Sequence, residues 1–383
     1  MRICVLTHNA KTDNGGGILS RRLIEGLRER LGAEVVVFTT EPSGLSGELP
    51  ILYPNWVKLL FSLRKIRKVI KTCDVIHAFD VYPYGLMVSF ASYGLHKKIV
   101  LTAVGTGSIH ALYTHWPFMQ KRIASVYKRA TLVTAISNFT RDLILAKLPE
   151  VKIKVINPGF DPVPIDHVDQ NLVLTDSIGR KHIINDLPPY IVSVGALRHR
   201  KGYHLSIRAF AKIAEKFPGV RYVIVGKKYG PRYYERMQYH IHRLRLEDKV
   251  IIFDAIEKQE ELSLLYEKAE LFALFSIADG YDIEGFGIVF LEAAAHGLPI
   301  VATKTGGISD AVSENTNALL VDISDLAPFN DQKKDDDFSR AIEKILRDSA
   351  LRERMSEASR IFAKDALWST RIQSYIESYK NLS

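Results

Sequence analysis

The segment Glu284-Gly285-Phe286-Gly287-Ile288-Val289-Phe290-Leu291-Glu292 sets two carboxylates eight residues apart around a glycine-flanked turn that runs into a helix. Gly285 and Gly287 let a backbone come close to a ligand, and the run from Ile288 to His296 has helical character up to the stop at Gly297-Leu298-Pro299. Free N–H groups of the first turn, around Phe286 and Ile288, suit an anion. Helix rise places Glu284, just before the turn, roughly 9–12 Å from Glu292. Two acceptors flanking an anion site fit a ligand with hydroxyls at both ends and phosphates between, which describes a nucleoside-diphosphate sugar.

A second cluster precedes it. Gly195-Ala196-Leu197-Arg198-His199-Arg200-Lys201-Gly202 carries four basic side chains between a strand and a helix, where ligands bind in open α/β sheets. Lys201 offers a point charge to a pyrophosphate, and Arg198 or Arg200 a bidentate fork. A solvated basic loop is the bland alternative, and the later carboxylate pair weighs against it. Near the N-terminus, Asn14-Gly15-Gly16-Gly17 opens a helix whose leucines 19, 23, 27 and 31 recur every four residues. Gly16 and Gly17 can hold a phosphate or an acceptor hydroxyl, or only make a tight turn. The loop is not G-x-G-x-x-G, and no acidic residue ends the second strand, which weighs against a dehydrogenase.

These groups need a scaffold, and β-rich runs alternate with helical periods from end to end, the pattern of α/β architecture with parallel sheets. Arg2–Leu6, Glu34–Thr39, Val75–His77, Ile99–Thr102, Leu132–Ala135 and Lys154–Ile156 read as strands of one unit. Tyr190–Val194, Tyr222–Val225, Val250–Phe253, Leu271–Phe275, Ile300–Ala302 and Ala318–Val321 read as those of another. The expectation is two Rossmann-like domains, 1–165 and 185–367, with Pro158 to Pro189 holding the boundary and helix 368–383 packing on either. A length of 383 residues suits two domains. Lys333-Lys334-Asp335-Asp336-Asp337 reads as a solvated charged loop before a helix. Cys4 and Cys73, in apolar strand-like runs, read as buried core with no disulfide or metal spacing. No apolar run reaches the ~18 residues of a membrane span, and the N-terminus enters a strand directly, so a cytoplasmic location is expected. The net charge of +9 favours a nucleic acid, an anionic membrane surface or a phosphorylated substrate as partner.

In this order the motifs resemble the GT-B retaining glycosyltransferases of family four (glycosyl transferases group 1). The likeness covers nearly the whole chain: Gly15–Gly17, Ala135-Ile136-Ser137-Asn138-Phe139-Thr140, Val155-Ile156-Asn157-Pro158-Gly159-Phe160-Asp161, Lys201-Gly202, Val225-Gly226, the Glu284/Glu292 pair and Thr305-Gly306-Gly307. The resemblance implies an N-terminal acceptor domain and a C-terminal nucleotide-sugar donor domain facing each other across a closing cleft. It implies that Lys201 binds the donor diphosphate, Glu284 the transferred sugar and Glu292 the ribose, while amides around Phe286–Ile288 hold sugar and phosphates. No divalent metal is implied. Two positions depart from the pattern. Ala196 stands where an arginine is common, so Arg198 or Arg200 must replace it; Val104 stands where a histidine usually precedes Gly105, so His110 or loop hydroxyls must serve.

The expected reaction moves a hexosyl unit, mannosyl or glucosyl, from a GDP- or UDP-sugar to an acceptor hydroxyl. Same-face attack is favoured, because a Glu284 engaged with outer sugar hydroxyls is badly placed as a nucleophile. Trp56–Lys71 and His115–Arg129 are basic amphipathic stretches that fit a lipid-linked acceptor and peripheral attachment to the inner membrane face as well as they fit ordinary surface helices. Alternatives are an epimerase or hydrolase of the same fold, a non-catalytic sugar-nucleotide binder, and a nucleic-acid binder suggested by charge alone; no nucleic-acid module supports the last.

Overall fold

The structure is a computed structural model that describes all residues except 13, 54–55, 115, 164–171, 257, 325–331 and 383, and describes no side chain at 56–57, 59–61 and 332. His115 and Pro164 therefore lie outside the described residues, as do the side chains of Trp56, Leu59 and Leu60. The chain divides into two compact units, Met1–Gly159 with Trp368–Ser383, and Phe160–Leu367.

The first unit runs β1 (Arg2–Leu6), α1 (Gly15–Leu31), β2 (Glu34–Phe38), β3 (Glu48–Leu49), α2 (Trp56–Ile70), β4 (Val75–Phe79), α3 (Leu86–Ala91), β5 (Lys98–Ala103), α4 (Thr106–Tyr113), α5 (Pro117–Arg129), β6 (Leu132–Ala135), α6 (Asn138–Leu145) and β7 (Ile153–Val155). Its seven strands lie in the order β3-β2-β1-β4-β5-β6-β7, and all the pairings are parallel. The Val/Ile-rich runs are buried on both faces, as parallel strands under helices must be. Leu19, Leu23 and Leu27 of α1 are buried, and the helix starts on an Asn14 side chain that accepts from Gly17 N at 2.8 Å.

The second unit begins with an antiparallel hairpin, β8 (Val173–Thr175) and β9 (Lys181–Ile183). It continues with β10 (Tyr190–Val194), α7 (Tyr203–Lys216), β11 (Arg221–Val225), α8 (Pro231–Arg243), β12 (Val250–Phe253), α9 (Gln259–Glu267), β13 (Leu271–Leu274), α10 (Ile288–Ala295), β14 (Ile300–Lys304), α11 (Ile308–Ala311), β15 (Ala318–Asp322), α12 (Gln332–Arg347) and α13 (Ser349–Lys364). Six of its strands form a sheet in the order β12-β11-β10-β13-β14-β15. That is the doubly wound order, whose topological switch lies between β10 and β13, and ligands bind at the carboxyl ends of the strands there. The last helix, α14 (Trp368–Lys380), returns to the first unit. There Tyr379 and the buried His77 share a 2.6 Å hydrogen bond, and Lys154 Nζ donates to Ser378 Oγ at 2.9 Å.

Three expectations need correction. The stretch Pro158–Pro189 is not only a linker, because it folds the β8–β9 hairpin around Asp176. That carboxylate accepts from Ile178 N, Arg180 N, Arg180 Nε and His182 Nε2. Burial alone would raise its pKa, but these hydrogen bonds hold it at about 2. Lys333–Asp337 is not a solvated loop but the start of α12, docked on α7. Arg208 pairs with the buried Asp335 at 2.5 Å, and Lys212 with Asp336. Cys73 sits in the turn before β4 rather than in a strand, although both cysteines are free and buried.

Candidate active site

Strand β10 ends at Val194, and the chain then turns at Gly195, where an added Cβ would lie 3.1 Å from Lys201 Cε. The bare glycine leaves the volume that the lysine side chain occupies. A short 3₁₀ turn, His199–Lys201, then brings the four basic residues to the carboxyl end of the sheet. Gly202 follows with φ 62°, its missing Cβ opposite the Phe275 carbonyl oxygen at 1.8 Å. No other residue fits there, so α7 can start only after a glycine.

Opposite lies an acidic run, Asp279-Gly280-Tyr281-Asp282-Ile283-Glu284. Each basic residue of the loop finds a partner in it. Lys201 Nζ donates to Glu284 Oε2, and Arg200 Nη1 reaches the same oxygen at 2.8 Å. Arg200 Nε approaches Asp282 at 3.4 Å, Arg198 Nη2 donates to Asp282 at 3.0 Å, and His199 Nδ1 meets Asp279 at 3.0 Å. The Arg198 guanidinium also lies 4.4 Å from the centroid of the exposed Tyr229 ring. Lys201 and Glu284 are 5% and 7% exposed. Burial alone would raise the Glu284 pKa, but the charges of Lys201 and Arg200 and their hydrogen bonds hold it at about 2. For Lys201 burial lowers the ammonium's pKa, and the Glu284 carboxylate opposes that. The site thus holds a fixed carboxylate between cations that can also serve an anionic ligand.

Helix α10 begins at Ile288 after Gly287, whose φ is 95°. Of its first-turn amides, Phe290 N already donates to the Gly287 carbonyl at 3.0 Å, while those of Ile288 and Val289 precede any helical carbonyl and face no backbone partner among the described residues. Gly306 and Gly307 pack beneath the turn, with Gly307 N donating to the Glu284 carbonyl at 2.8 Å. Phe286 is buried and Gly285 takes no positive φ. Glu292 lies one turn into α10 and accepts the Tyr266 hydroxyl at 3.1 Å. Its pKa is raised by burial.

The structure therefore brings Arg198, Arg200, Lys201 and Glu284 into one cluster, with Gly195, Gly285–Ile288 and Glu292 in the same unit. Gly16 and Gly17 belong to the first unit. There the Gly17 amide is already used by the Asn14 cap, and a Cβ at Gly17 would meet the Lys11 carbonyl at 2.1 Å. The tight turn accounts for Gly17, whereas a Cβ at Gly16 would meet nothing nearer than Asn14 Oδ1 at 3.7 Å. Val104 donates its amide to Asp80 at 3.1 Å, and His110 is exposed on α4. Sequence reasoning missed Asp279, Asp282, Tyr229 and Tyr266. For the two aspartates the signal was present, as acidic residues immediately before the Glu284 motif.

Residues 175–362 match the family model described as glycosyl transferases group 1, and residues 13–163 match glycosyltransferase family 4. The chain belongs to this glycosyltransferase family. Its fold is GT-B, shared with a sucrose-phosphate synthase from Thermosynechococcus elongatus (TM-score 0.72, 19% identical, covering 100% of this chain and 98% of that one). Anabaena HepE, solved with UDP and glucose, shares it as well (TM-score 0.70, 20% identical, 99% of each). Among curated family members, a GDP-mannose-dependent alpha-(1-6)-phosphatidylinositol monomannoside mannosyltransferase of Mycolicibacterium smegmatis is 28% identical over 271 residues, 69% of this chain and 66% of that protein. An N-acetyl-alpha-D-glucosaminyl L-malate synthase of Bacillus anthracis is 23% identical over 95% of this chain and 93% of that one. The chain spans slightly under two thirds of the length of the mycobacterial relatives it matches. Among the described residues no helix is long and apolar enough to cross a membrane.

Proposed function

We propose that this family member is a retaining, metal-independent hexosyltransferase that moves a mannosyl or glucosyl unit from a GDP- or UDP-sugar to an acceptor hydroxyl. One observation carries the reading: a buried Lys201–Glu284 pair, flanked by Arg200 and Arg198, stands beside the open first turn of α10. Lysine and carboxylate side by side suit a diphosphate next to sugar hydroxyls. In the proposed step the bond between the anomeric carbon and the phosphate oxygen breaks. The acceptor oxygen bonds to the same face of that carbon, and its proton passes to the departing phosphate oxygen. Lys201 and an arginine take up the developing diphosphate charge, so the step needs no divalent cation.

The arginine that stands in for the residue missing at Ala196 is Arg198. Arg200 is only 16% exposed and spends two nitrogens on Asp282 and Glu284, which makes it a strut for Glu284. Arg198 is 31% exposed, contacts Asp282 through Nη2 alone, and is aimed by Tyr229. The mycobacterial relatives use GDP-mannose by name, and HepE is solved with UDP and UDP-glucose, which supports a nucleotide-sugar donor of either base.

The acceptor reading is a lipid-linked hydroxyl, with the enzyme in the cytoplasm at the inner membrane face. Residues 49–141 hold thirteen Lys/Arg and two Asp/Glu, an excess larger than the chain's net +9. The outward face of α5 shows Phe118, Lys121, Arg122, Lys128 and Arg129, with Trp116 74% exposed just before it. Basic residues interleaved with exposed aromatics suit an anionic lipid surface.

A calorimetric screen of UDP-, GDP- and ADP-sugars against the wild type and Lys201→Ala tests the donor reading. The expected result is micromolar to millimolar binding of one donor class that Lys201→Ala abolishes; no binding by any donor overturns it. Product formed from the donor without an acceptor would favour the epimerase or hydrolase alternative.

A further inference from the structure

The Glu292 carboxylate is held from one side by its own protein. Tyr266, on α9 and 1% exposed, donates its hydroxyl to Glu292 Oε2. Burial, and then the Glu292 charge, push the phenol's pKa well above 10, so it stays a donor. The ring is pinned. It stacks on His296 at 5.5 Å and 14° and lies against Phe272 at 6.2 Å; His296 Nδ1 is in turn tied to Glu267 at 3.3 Å. Glu292 Oε1 has no hydrogen-bond partner among the described residues. Glu292 also lines a cavity of about 90 Å³ together with Phe160, Ser263, Tyr266 and His296. A carboxylate with one oxygen fixed and the other unclaimed beside a cavity is prepared for a ligand that donates two hydrogen bonds.

We propose that Tyr266 is a positioning residue, which fixes one oxygen of Glu292 so that the carboxylate meets the vicinal hydroxyl pair of the donor's ribose in a single orientation. The proposal rests on the nucleotide-sugar reading. Burial raises the Glu292 pKa, and the Tyr266 hydrogen bond, with the Lys201 charge after it, opposes that rise.

The test titrates UDP and GDP, and their 2′-deoxy forms, calorimetrically into the intact wild type, Tyr266→Phe, Glu292→Gln and the double variant across pH, with melting curves confirming that each is folded. Tyr266→Phe is expected to weaken ribonucleotide binding roughly tenfold, the loss of a hydrogen bond to a charged group. It should leave 2′-deoxy binding within about twofold and move to higher pH the part of the acid limb that Glu292→Gln removes, which separates Glu292 from the diphosphate's own protonation at roughly pH 6. In the Glu292→Gln background it should add nothing. Equal loss for ribo and deoxyribo forms, or an undiminished effect of Tyr266→Phe when Glu292 is already glutamine, overturns the positioning role and leaves the donor reading intact. Failure of the wild type to bind any nucleoside diphosphate overturns both.

Discussion

Glu284→Gln removes the one charge that Lys201 and Arg200 share. Both cations remain, Lys201 nearly enclosed, and what is left to compensate is the 3.4 Å contact of Arg200 with Asp282 and the weaker pull of the Glu292 carboxylate on Lys201. Two routes give the cost. The folded pKa of about 2 against an unfolded 4.5 corresponds to about 3 kcal/mol at 1.36 kcal/mol per unit. Removing one partner of a buried pair typically costs about 3–5 kcal/mol. For a unit of this size each kcal/mol lowers Tm by roughly 2–4 °C, so Glu284→Gln should melt about 6–20 °C below the wild type at pH 7. Lys201→Met should cost less, about 1–3 kcal/mol, because Glu284 keeps Arg200 and a desolvated ammonium is removed. All three tryptophans, Trp56, Trp116 and Trp368, lie in the first unit, so calorimetry and far-UV circular dichroism, rather than tryptophan fluorescence, must follow the second. The sign with pH is fixed by the depressed pKa. The stabilisation is complete above pH 4.5 and is lost as pH falls towards 2, and Glu284→Gln should flatten that slope. A Glu284→Gln Tm within about 2 °C of the wild type, or a larger loss for Lys201→Met, would refute the reasoning.

Gly202→Ala, with its Cβ driven to 1.8 Å from the Phe275 carbonyl at φ 62°, should cost more than about 3 kcal/mol by strain and displacement of β13's end; recovery of soluble, fully folded protein with unchanged Tm would contradict the packing. His204 is buried against His199, Tyr233 and His240, and burial, with Arg236 next, lowers its pKa to about 2. A base depressed in the fold loses stability as pH drops below 6.5, so His204→Gln should remove about 2–3 kcal/mol of the decline between pH 6.5 and 4.5 in chemical denaturation. Arg198→Ala should weaken nucleoside-diphosphate binding roughly tenfold or more with little change in Tm, whereas Arg200→Ala should lower both; the reverse pattern in calorimetry and melting would exchange their roles. Replacing Lys58, Arg64, Lys65 and Lys68 by alanine should reduce co-sedimentation with phosphatidylserine vesicles at low salt by about 100-fold or more, at about 1 kcal/mol per cation; equal sedimentation would place the surface elsewhere.

Much of this molecule was legible because parallel sheets buried on both faces write themselves as short Val/Ile/Leu runs. Strands such as Tyr190–Val194 and Val250–Phe253 stand where the runs stand. The elements that escaped depend on distant partners. The two-residue β3 and the β8–β9 hairpin carry little apolar periodicity; Asp176 ties the turn of its hairpin together, and the next residue, Ser177, anchors it by donating its amide to the Ile252 carbonyl of a strand some 75 residues on. Five consecutive charges at Lys333–Asp337 look solvated in one dimension. Helical period turns Asp335 inward with Phe338 and Ile342, and its counter-ion, Arg208, is 127 residues earlier. The site divides in the same way. Gly-flanked carboxylates and a Lys-Gly pair are local patterns and point to Glu284, Glu292 and Lys201, but local patterns do not say that Lys201 and Glu284 touch across 83 residues of chain. Nor do they separate the two glutamates chemically. Eight residues apart, one carboxyl is driven down to about 2 by two cations and the other is driven up by burial beside a phenol. A permanently charged Glu284 can hold a cation and accept sugar hydroxyls at any physiological pH. Glu292, whose carboxyl is pushed up by burial against the Tyr266 hydrogen bond and the Lys201 charge, is the half of the pair whose ligand grip should respond to pH.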